Sequence, residues 1–555
     1  MARHRGPGGH RFLRARTITT AAATVAATVL ALVASSGSAA ARQAPAPFPT
    51  TPDVSCTAAR VRKEAGSLTA AEWATYQRAV TGLHARETSG NRETLDWFEH
   101  FVDIHANYGG QAHGGAHFLA WHRLFLLAYE NALRTIEPSV TIPYWDWSLD
   151  SADPAMAPVW GTSQLGKSAV NGQIGAGDPR GGHNFNEFFV DTDGPHHVTR
   201  GFPSNSRGGM DSTFFPNKAT MSALWQSTTT TFAEFAEALE FAHGGPHMAI
   251  GGLTGPGGDM MWLSRAAGDV AFWSHHAFID YLWAMRQGTI SATEYGGIQN
   301  GVAVSKNDML APFGVTARVA VDLSCVSLVC KRSKNITARA LVAAAAAPAA
   351  LPFISARSSD ATRTAYLAKL RKDIEAAQAI RDAGVAEAEE EAEVVIAEAD
   401  AEIEEVEEKE AAILVAIGSD DDDDDADDGT DDDAATAATR QALTVGGRTS
   451  SDELTLAALE EERKAATAAR KAAMRELRAK TRRLRRSVRV TALAGFADMN
   501  GLDRQHFLRG EEVLERAEDA ADADAEEAAE VAEEAAAATD WAADAVAGTG
   551  DEEGA

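Results

Sequence analysis

Apolar residues recur at helical spacing through the first half of the chain. After a helix-start pattern at 67–72, Trp73, Tyr76 and Val80 fall on one helical face. Four further stretches show the same period: 95–104, 118–136, 231–242 and 269–285. Pro138 closes the longest of them, because proline removes a backbone donor. We therefore predict a mainly α core, a helical bundle with its site between helices.

Two stretches of this core depart from the helical pattern. Residues 150–230 are rich in Gly, Asp, Asn, Ser, Thr and Pro, which predicts long loops. Residues 302–329 alternate apolar and polar positions, as in Val315, Ala317, Val319 and Val321, which predicts a small β portion. The predicted core ends near residue 330.

Charge comes in blocks of opposite sign beyond residue 331. Residues 386–410 contain thirteen acidic residues and one lysine, 420–425 is an unbroken aspartate run, and 463–489 has twelve basic residues against one acidic. Such blocks can pair as antiparallel helices. They are equally typical of a flexible low-complexity tail with partial helix. The sequence thus predicts a charged helical or disordered extension over 331–555.

The overall charge and the N-terminal sequence indicate which partners and which location to expect. The formal charge of −29 argues against nucleic acid as a partner, since phosphate would be repelled. Arginines within 3–16, an apolar stretch at 18–33 and Ala39–Ala41 are typical of a cleaved signal peptide. We expect a signal over 1–41, a Pro-rich leader over 42–55, and a secreted protein with no membrane attachment after cleavage.

The chain has three cysteines: Cys56, Cys325 and Cys330. An odd number in an exported protein leaves one thiol unpaired or paired between chains. Cys56 with either later cysteine would join the start of the core to its end, and the sequence does not choose between them. None lies beside a histidine, which argues against a thiolate metal ligand.

Histidine is concentrated in the core, with thirteen of sixteen between His84 and His276. Two sets stand out: His105, His113 and His122, and then His243, His247 and His276. Imidazole suits copper, zinc, iron and nickel, and residues four apart share one face of a helix. Two sets of three predict two metal ions. A zinc hydrolase would explain one set but not the other.

Several separated motifs resemble the tyrosinase family of type-3 dicopper proteins. They are FLAWHRLFLLAYENALR, PYWDW, HGGPHMAIGG and DVAFWSHHAFIDYLW, within roughly 56–320. The resemblance implies that His105, His113 and His122 hold one copper ion and that His243, His247 and His276 hold the other. It also implies that His275 and Phe272 shape the substrate slot. His100 and His117 are alternative ligands, and Asp280 is expected to support His276.

One departure from the family pattern concerns the substrate. Relatives often carry Asn directly after the first ligand of the second copper, where it works with a Glu to hold a water that deprotonates a monophenol. Here that position is Gly244, and Glu234, Glu237 or Glu240 is the candidate Glu. We therefore expect oxidation of o-diphenols or o-aminophenols by O2 to quinonoid products. Full tyrosinase activity is the alternative.

Two further possibilities concern a different function for the site and the role of the C-terminal extension. A haemocyanin-like oxygen carrier would share the same two-copper site without turning over a substrate. Residues 331–555 would either cover the copper pocket or serve as an interaction or solubility segment. A copper-loading partner, which some relatives need, cannot be read from the sequence.

Overall fold

The core helices of the computed structural model bear out the mainly α prediction. Their bounds, with the first short strand, are β1 Arg60–Arg62, α1 Ala70–His84, α2 Trp97–Ala112, α3 Phe118–Arg134, α4 Lys218–Gln226, α5 Phe232–Gly251 and α6 Val270–Thr289. α3 and α6 are buried along almost their whole length and form the centre of the core.

The described residues are 60–84, 97–161, 164–166, 198–201, 212–255, 257–322, 326–328, 360–419 and 450–547, and all lie in one unit of the chain. The predicted signal peptide, the Pro-rich leader, the three cysteines and the aspartate run at 420–425 lie outside the described residues. Within the described part, no helix is long and apolar enough to cross a membrane.

Capping hydrogen bonds between residues close in sequence mark where three of the helices begin. Thr69 and Glu72 exchange side-chain-to-backbone hydrogen bonds ahead of α1, and Thr231 and Glu234 do the same ahead of α5. Asp269 caps α6 by accepting the Ala271 N–H. These caps supply partners for backbone donors that the first helical turn leaves free.

Two helices run further than their sequence patterns indicate. α2 continues to Ala112 rather than 104, and α5 continues to Gly251 rather than 242, through Pro246. Proline in a helix interior costs a hydrogen bond. Here every residue from Ala238 to Gly251 is buried, so tertiary packing outweighs the local cost. The extensions matter because they carry His105, His243 and His247.

The predicted β portion is only partly a β structure. The short strands are β2 Ile298–Gln299, β3 Val302–Ala303, β4 Met309–Leu310, β5 Val315–Thr316 and β6 Val326–Leu328. The alternating residues from Ala317 to Val321 instead form a short helix, α7. Ala317, Ala320 and Val321 are buried, and this spacing of three and four suits a helix. β6 pairs in parallel with β1, which joins the two ends of the core.

A buried ion network lies beneath the central helices. Arg62 of β1 donates to Glu130 of α3 at 3.1 Å and to Asp280 of α6 at 2.9 Å. Asp280 also accepts from Arg123 at 2.5 Å. Buried charges are tolerated only when each has partners of opposite sign. The network therefore fixes α3 and α6 relative to β1.

The C-terminal extension is helical over its described residues: α8 Asp360–Ser419, α9 Ser450–Asn500 and α10 Arg504–Ala547. α8 and α9 run antiparallel, with Lys480 paired to Glu391 and Arg470 paired to Asp400 at 2.8 Å. Opposite charge blocks thus meet along the pair, as the helical alternative predicts. Small apolar residues of α8, among them Ala388 and Ala399, are buried on the contact face.

Removing the shared carboxylate of the ion network should destabilise the core. Asp280→Ala leaves two buried arginines short of a partner, with an expected loss of about 3 kcal/mol, the lower end for such a break. A calorimetric melting curve measures it. The matched control is Glu137→Ala, which breaks the more exposed Arg78–Glu137 pair and should cost about 0–1 kcal/mol. Equal shifts in Tm for the two variants would refute the expectation.

Candidate metal centre

Four helices and one turn bring the six predicted ligands together at the centre of the core. α2 carries His105, the turn after α2 carries His113, and α3 carries His122. α5 carries His243 and His247 on one face, and α6 carries His276. None of the six side chains is more than 2% exposed, so the centre is closed to solvent.

The first set is tightly gathered. The nitrogens that His105, His113 and His122 offer all lie within 4.8 Å of one another. The Nε2 atoms of His105 and His122 are 3.5 Å apart. Such a spacing allows three nitrogens to face one ion.

The second set is gathered in the same way. His243, His247, His275 and His276 each offer a nitrogen within 4.8 Å of the others. The Nε2 atoms of His247 and His276 are 3.2 Å apart. The two sets adjoin, because the rings of His122 and His276 stack at 4.4 Å between centroids. Two ions held by these sets would be close neighbours.

Backbone carbonyls orient five of the six rings. Each of these rings donates its Nδ1–H to a carbonyl oxygen: His105 to Leu263, His113 to Gly109, His122 to Phe118, His243 to Glu240 and His247 to Met260. A carbonyl only accepts, so the proton of each neutral ring sits on Nδ1. The Nε2 lone pair is then left free to bind a metal.

Burial keeps these rings neutral. It lowers the pKa of His105 to about 4 and that of His247 to about 3. The pKa values of His113, His122, His243 and His276 lie well below the usual range, first through burial and then through neighbouring histidines. Neutral imidazole is the form that binds a metal, and no proton competes near neutral pH.

The donor atoms fit two copper ions. The Nε2 atoms of His113 and His243 are buried and have no hydrogen-bond partner among the described residues. A buried nitrogen without a partner is costly, and a metal ion would satisfy it. Six neutral imidazoles with no carboxylate or thiolate in either set match the preferences of copper.

Comparison with known proteins identifies the family. The model of the common central domain of tyrosinase matches residues 95–289. A tyrosinase from Streptomyces lincolnensis is 30% identical over 237 residues, which cover 41% of this chain and 82% of the bacterial protein. This chain belongs to the tyrosinase family.

Two other proteins are similar to part of this chain. Tyrosinase-like protein phomQ1' from Diaporthe leptostromiformis is 32% identical over 260 residues, covering 43% of this chain and 66% of the fungal protein. The chain thus spans about two thirds of that relative's length. A solved polyphenol oxidase structure from Thermothelomyces thermophila is 24% identical, with a TM-score of 0.34, covering 48% of this chain and 76% of the other.

Membership in this family supports the predicted cofactor. Tyrosinase-family proteins use a type-3 dicopper site, and the two buried histidine groups of this chain could hold two metal ions. The family acts on phenolic substrates with O2. The predicted copper cofactor is thereby confirmed, whereas the substrate preference belongs to the proposal below.

His275 differs from the six predicted ligands in its hydrogen bonding. Trp147 donates its Nε1–H to His275 Nδ1 at 3.1 Å, so this ring uses its Nδ1 lone pair and carries its proton on Nε2. The ring stacks on His243 at 5.2 Å. This arrangement suits a ring that supports His243 better than a metal ligand.

Phe272 lies among the ligand rings themselves. It stacks on His276 at 4.0 Å between centroids and meets His105 at 4.9 Å. It is fully buried, so it fills space between the two histidine sets. Its predicted part in the substrate slot stays a prediction.

Three further sequence candidates lie outside both histidine groups. His100 and His117 belong to neither histidine group, and His117 instead meets the Tyr295 hydroxyl at 2.6 Å. Asp280 is engaged by Arg62 and Arg123. The Nδ1 atom of His276 has no hydrogen-bond partner among the described residues. Asp280 thus holds α6 in place rather than the ring of His276.

The C-terminal helices cover the second histidine set. A Cβ placed on Gly244 would lie 3.0 Å from Leu493 Cδ2, 3.5 Å from Phe507 and 3.7 Å from Phe496. The ring of Phe496 is 6.1 Å from that of His247. Sequence reasoning did not single out these three residues. Their only signal was an apolar patch within a strongly charged region.

Glu240 links both histidine sets to this cover. One carboxylate oxygen accepts the Gly114 N–H at 2.8 Å, next to His113 in sequence. The other oxygen accepts from His506 of α10 at 2.7 Å. The Glu240 backbone carbonyl holds the His243 ring. A fully buried carboxylate is thus paired on both sides.

Loss of one ring from the second set should reduce metal content. His247→Ala leaves His243 and His276, so we expect copper to fall from about two equivalents toward one, because a lost ligand weakens only its own site. Metal analysis measures this after the protein is loaded with excess copper and the unbound copper is removed by dialysis. His117→Gln is the matched control, a buried histidine outside both sets, and should keep two equivalents. Retention of both ions by His247→Ala would contradict the ligand assignment.

Proposed function

We propose that this chain is a secreted dicopper oxidase that converts o-diphenols or o-aminophenols to quinonoid products with O2. The observation that carries the proposal is the convergence of six neutral imidazoles in two adjoining sets, within a chain of the tyrosinase family. His105, His113 and His122 would hold one copper ion, and His243, His247 and His276 would hold the other.

The chemistry balances without a further co-reactant. Each o-diphenol gives up two electrons and two protons to become an o-quinone, and one O2 accepts those of two substrates to form two water molecules. When bound, the copper pair supplies the binding and reduction of O2. The protein's part is to hold neutral ligands, so that the site stays cationic and attracts a phenolate in an apolar enclosure. Phe118 and Phe272 contribute apolar walls, with rings 4.9 Å from His243 and 4.0 Å from His276 between centroids.

The surroundings of Gly244 support diphenol over monophenol oxidation. Of the three candidate glutamates, Glu234 caps α5 and pairs with Arg516, and Glu237 pairs with Arg509. Glu240 alone is fully buried beside His243. Gly244 has no side-chain amide that could hold a water together with Glu240. The pair of residues expected to deprotonate a monophenol through that water is therefore incomplete. Full tyrosinase activity remains the second candidate, favoured by the similarity to the Streptomyces tyrosinase.

We also propose that residues 331–555 form a C-terminal extension that covers the copper pocket of a catalytic domain spanning 56–330. Leu493, Phe496 and Phe507 supply the apolar contact over Gly244. Ion pairs tie the extension to α5: His506 with Glu240, Arg509 with Glu237 at 2.8 Å, and Arg516 with Glu234 at 2.9 Å. Because these apolar side chains are buried over Gly244, we favour a covering role for the extension rather than a solubility role.

Secretion and the absence of a nucleic-acid partner complete the proposal. The N-terminal arginines and apolar stretch support export. The net charge of −29 is unfavourable for binding phosphate. A haemocyanin-like carrier is the remaining alternative, and it would bind O2 reversibly without turning over a phenol.

Substrate assays distinguish these functions. With copper-loaded mature chain, we expect O2 consumption with catechol and o-aminophenol and little with a monophenol, since Gly244 lacks the amide. An oxygen electrode and product absorbance measure both reactions. Rapid monophenol hydroxylation would establish the tyrosinase alternative. Reversible O2 binding without any turnover would establish a carrier.

Trimming the chain after residue 330 tests the cover. Without Leu493, Phe496 and Phe507 over Gly244, catechol should reach the site more readily and activity per bound copper should rise, by roughly tenfold if access costs about 1.4 kcal/mol. Normalising to bound copper separates access from metal loss. The control is Arg475→Ala, which breaks an exposed pair with Glu526 within the extension and should change nothing. Unchanged activity per copper in the trimmed chain would reject a covering role.

A further inference from the structure

A short loop between α5 and α6 supports both histidine sets at once. It runs from Asp259 to Leu263 and starts with a single 3-10 turn, Asp259–Met261. The Met260 carbonyl accepts from His247 at 2.8 Å, and the Leu263 carbonyl accepts from His105 at 2.7 Å. One loop thus orients one ring of the second set and one ring of the first.

The two ends of this loop are held by different parts of the chain. Asp259 accepts the Thr199 N–H at 2.6 Å and donates its own N–H to the Thr199 carbonyl at 3.0 Å. The core therefore fixes the first residue of the loop. The residues that follow, from Met261 to Leu263, make turn hydrogen bonds within the core and also contact the C-terminal extension.

Asn500, the last residue of α9, makes these contacts. Its Oδ1 accepts the Leu263 N–H at 3.0 Å, and its Nδ2 donates to the Met261 carbonyl at 3.1 Å. Nδ2 also donates to the Phe496 carbonyl at 3.1 Å, which fixes the amide within its own helix. An amide side chain can satisfy a donor and an acceptor together, which suits it to clamp a backbone segment.

A second contact from the extension falls on the same loop. The Arg363 guanidinium of α8 lies over the Trp262 ring, 5.1 Å from its centroid. Trp262 stands between the two backbone groups that Asn500 holds. Two helices of the extension therefore converge on the segment that carries the ring-orienting carbonyls.

We infer that Asn500 is a positioning residue for the dicopper centre, acting through the Met260–Leu263 backbone on His247 and His105. The inference rests on the proposed function, because it concerns the ligands of that site. The extension then has two roles: it covers the pocket and it also completes the support of one ligand of each copper ion. Opening the cover would loosen the metal centre as well as admit substrate.

Three variants of the full chain test the inference. Asn500→Leu keeps the side-chain size and removes both hydrogen bonds to the loop. Asn500→Asp keeps an acceptor for the Leu263 N–H and loses the donor to Met261. Tyr366→Phe is the matched control, because the Tyr366 hydroxyl donates at 3.2 Å to the Gly495 carbonyl in the same helix without touching the loop.

Two measurements report on positioning rather than on activity. In copper-free protein, hydrogen exchange at the Leu263 amide should quicken about tenfold in Asn500→Leu, while Asn500→Asp and Tyr366→Phe should stay near the unsubstituted protein. In copper-loaded protein, release of metal to a chelator should quicken roughly tenfold in Asn500→Leu, the low end of the effect of losing a residue that supports metal ligands. The increase should be smaller in Asn500→Asp. Tyr366→Phe should release copper at the original rate.

The outcomes separate this inference from the proposed function. Native release rates and native Leu263 protection in Asn500→Leu would overturn the positioning role, even if two copper ions bind and catechol is oxidised. Binding of fewer than two copper ions by the unsubstituted chain would instead refute the proposed function. If Asn500→Leu fails to fold, the rates of copper release from Asn500→Asp and Tyr366→Phe are compared instead. Equal rates in these two variants would also reject the inference.

Discussion

Hydrogen bonds from imidazole Nδ1–H groups to backbone carbonyls are the interaction on which the metal centre depends. A neutral histidine ring carries its proton on either Nδ1 or Nε2, and only the Nδ1 tautomer leaves the inward Nε2 free. The carbonyls of Gly109, Phe118, Glu240, Met260 and Leu263 settle that choice for five rings. Because carbonyls cannot donate, the choice does not change with pH. His275 shows the contrast, since an indole donor gives its ring the other tautomer.

These carbonyls are useful only if the backbone that carries them is rigid. Three belong to helices or their ends, and are fixed by the ordinary helical ladder. The other two lie in an irregular loop, where the fold must supply other restraints. The buried network around Asp280 holds α3 and α6, while contacts from α8 and α9 hold the loop. The contacts that keep the centre rigid therefore join residues more than two hundred positions apart in the chain.

Much of this arrangement could be predicted from the sequence, and the limits are physical. The spacing of His243 and His247 placed two rings on one helical face, and the family motifs ordered all six. The helix through Pro246 could not be predicted, because local propensity opposes it and burial decides. The helix at Ala317–Val321 was missed because alternating Val and Ala residues fit two periods. Asn500 and His506 carried no local signal, since each acts only across a long-range contact.

The contact between Gly244 and the extension constrains the side chain that position 244 can hold. Any side chain at position 244 would meet Leu493 at 3.0 Å from its Cβ, so that position and the covering helix constrain each other. A side chain with an amide at position 244 would therefore require the Leu493 side chain to move by a few tenths of an ångström. The packing of the extension thus limits which side chain can stand next to His243.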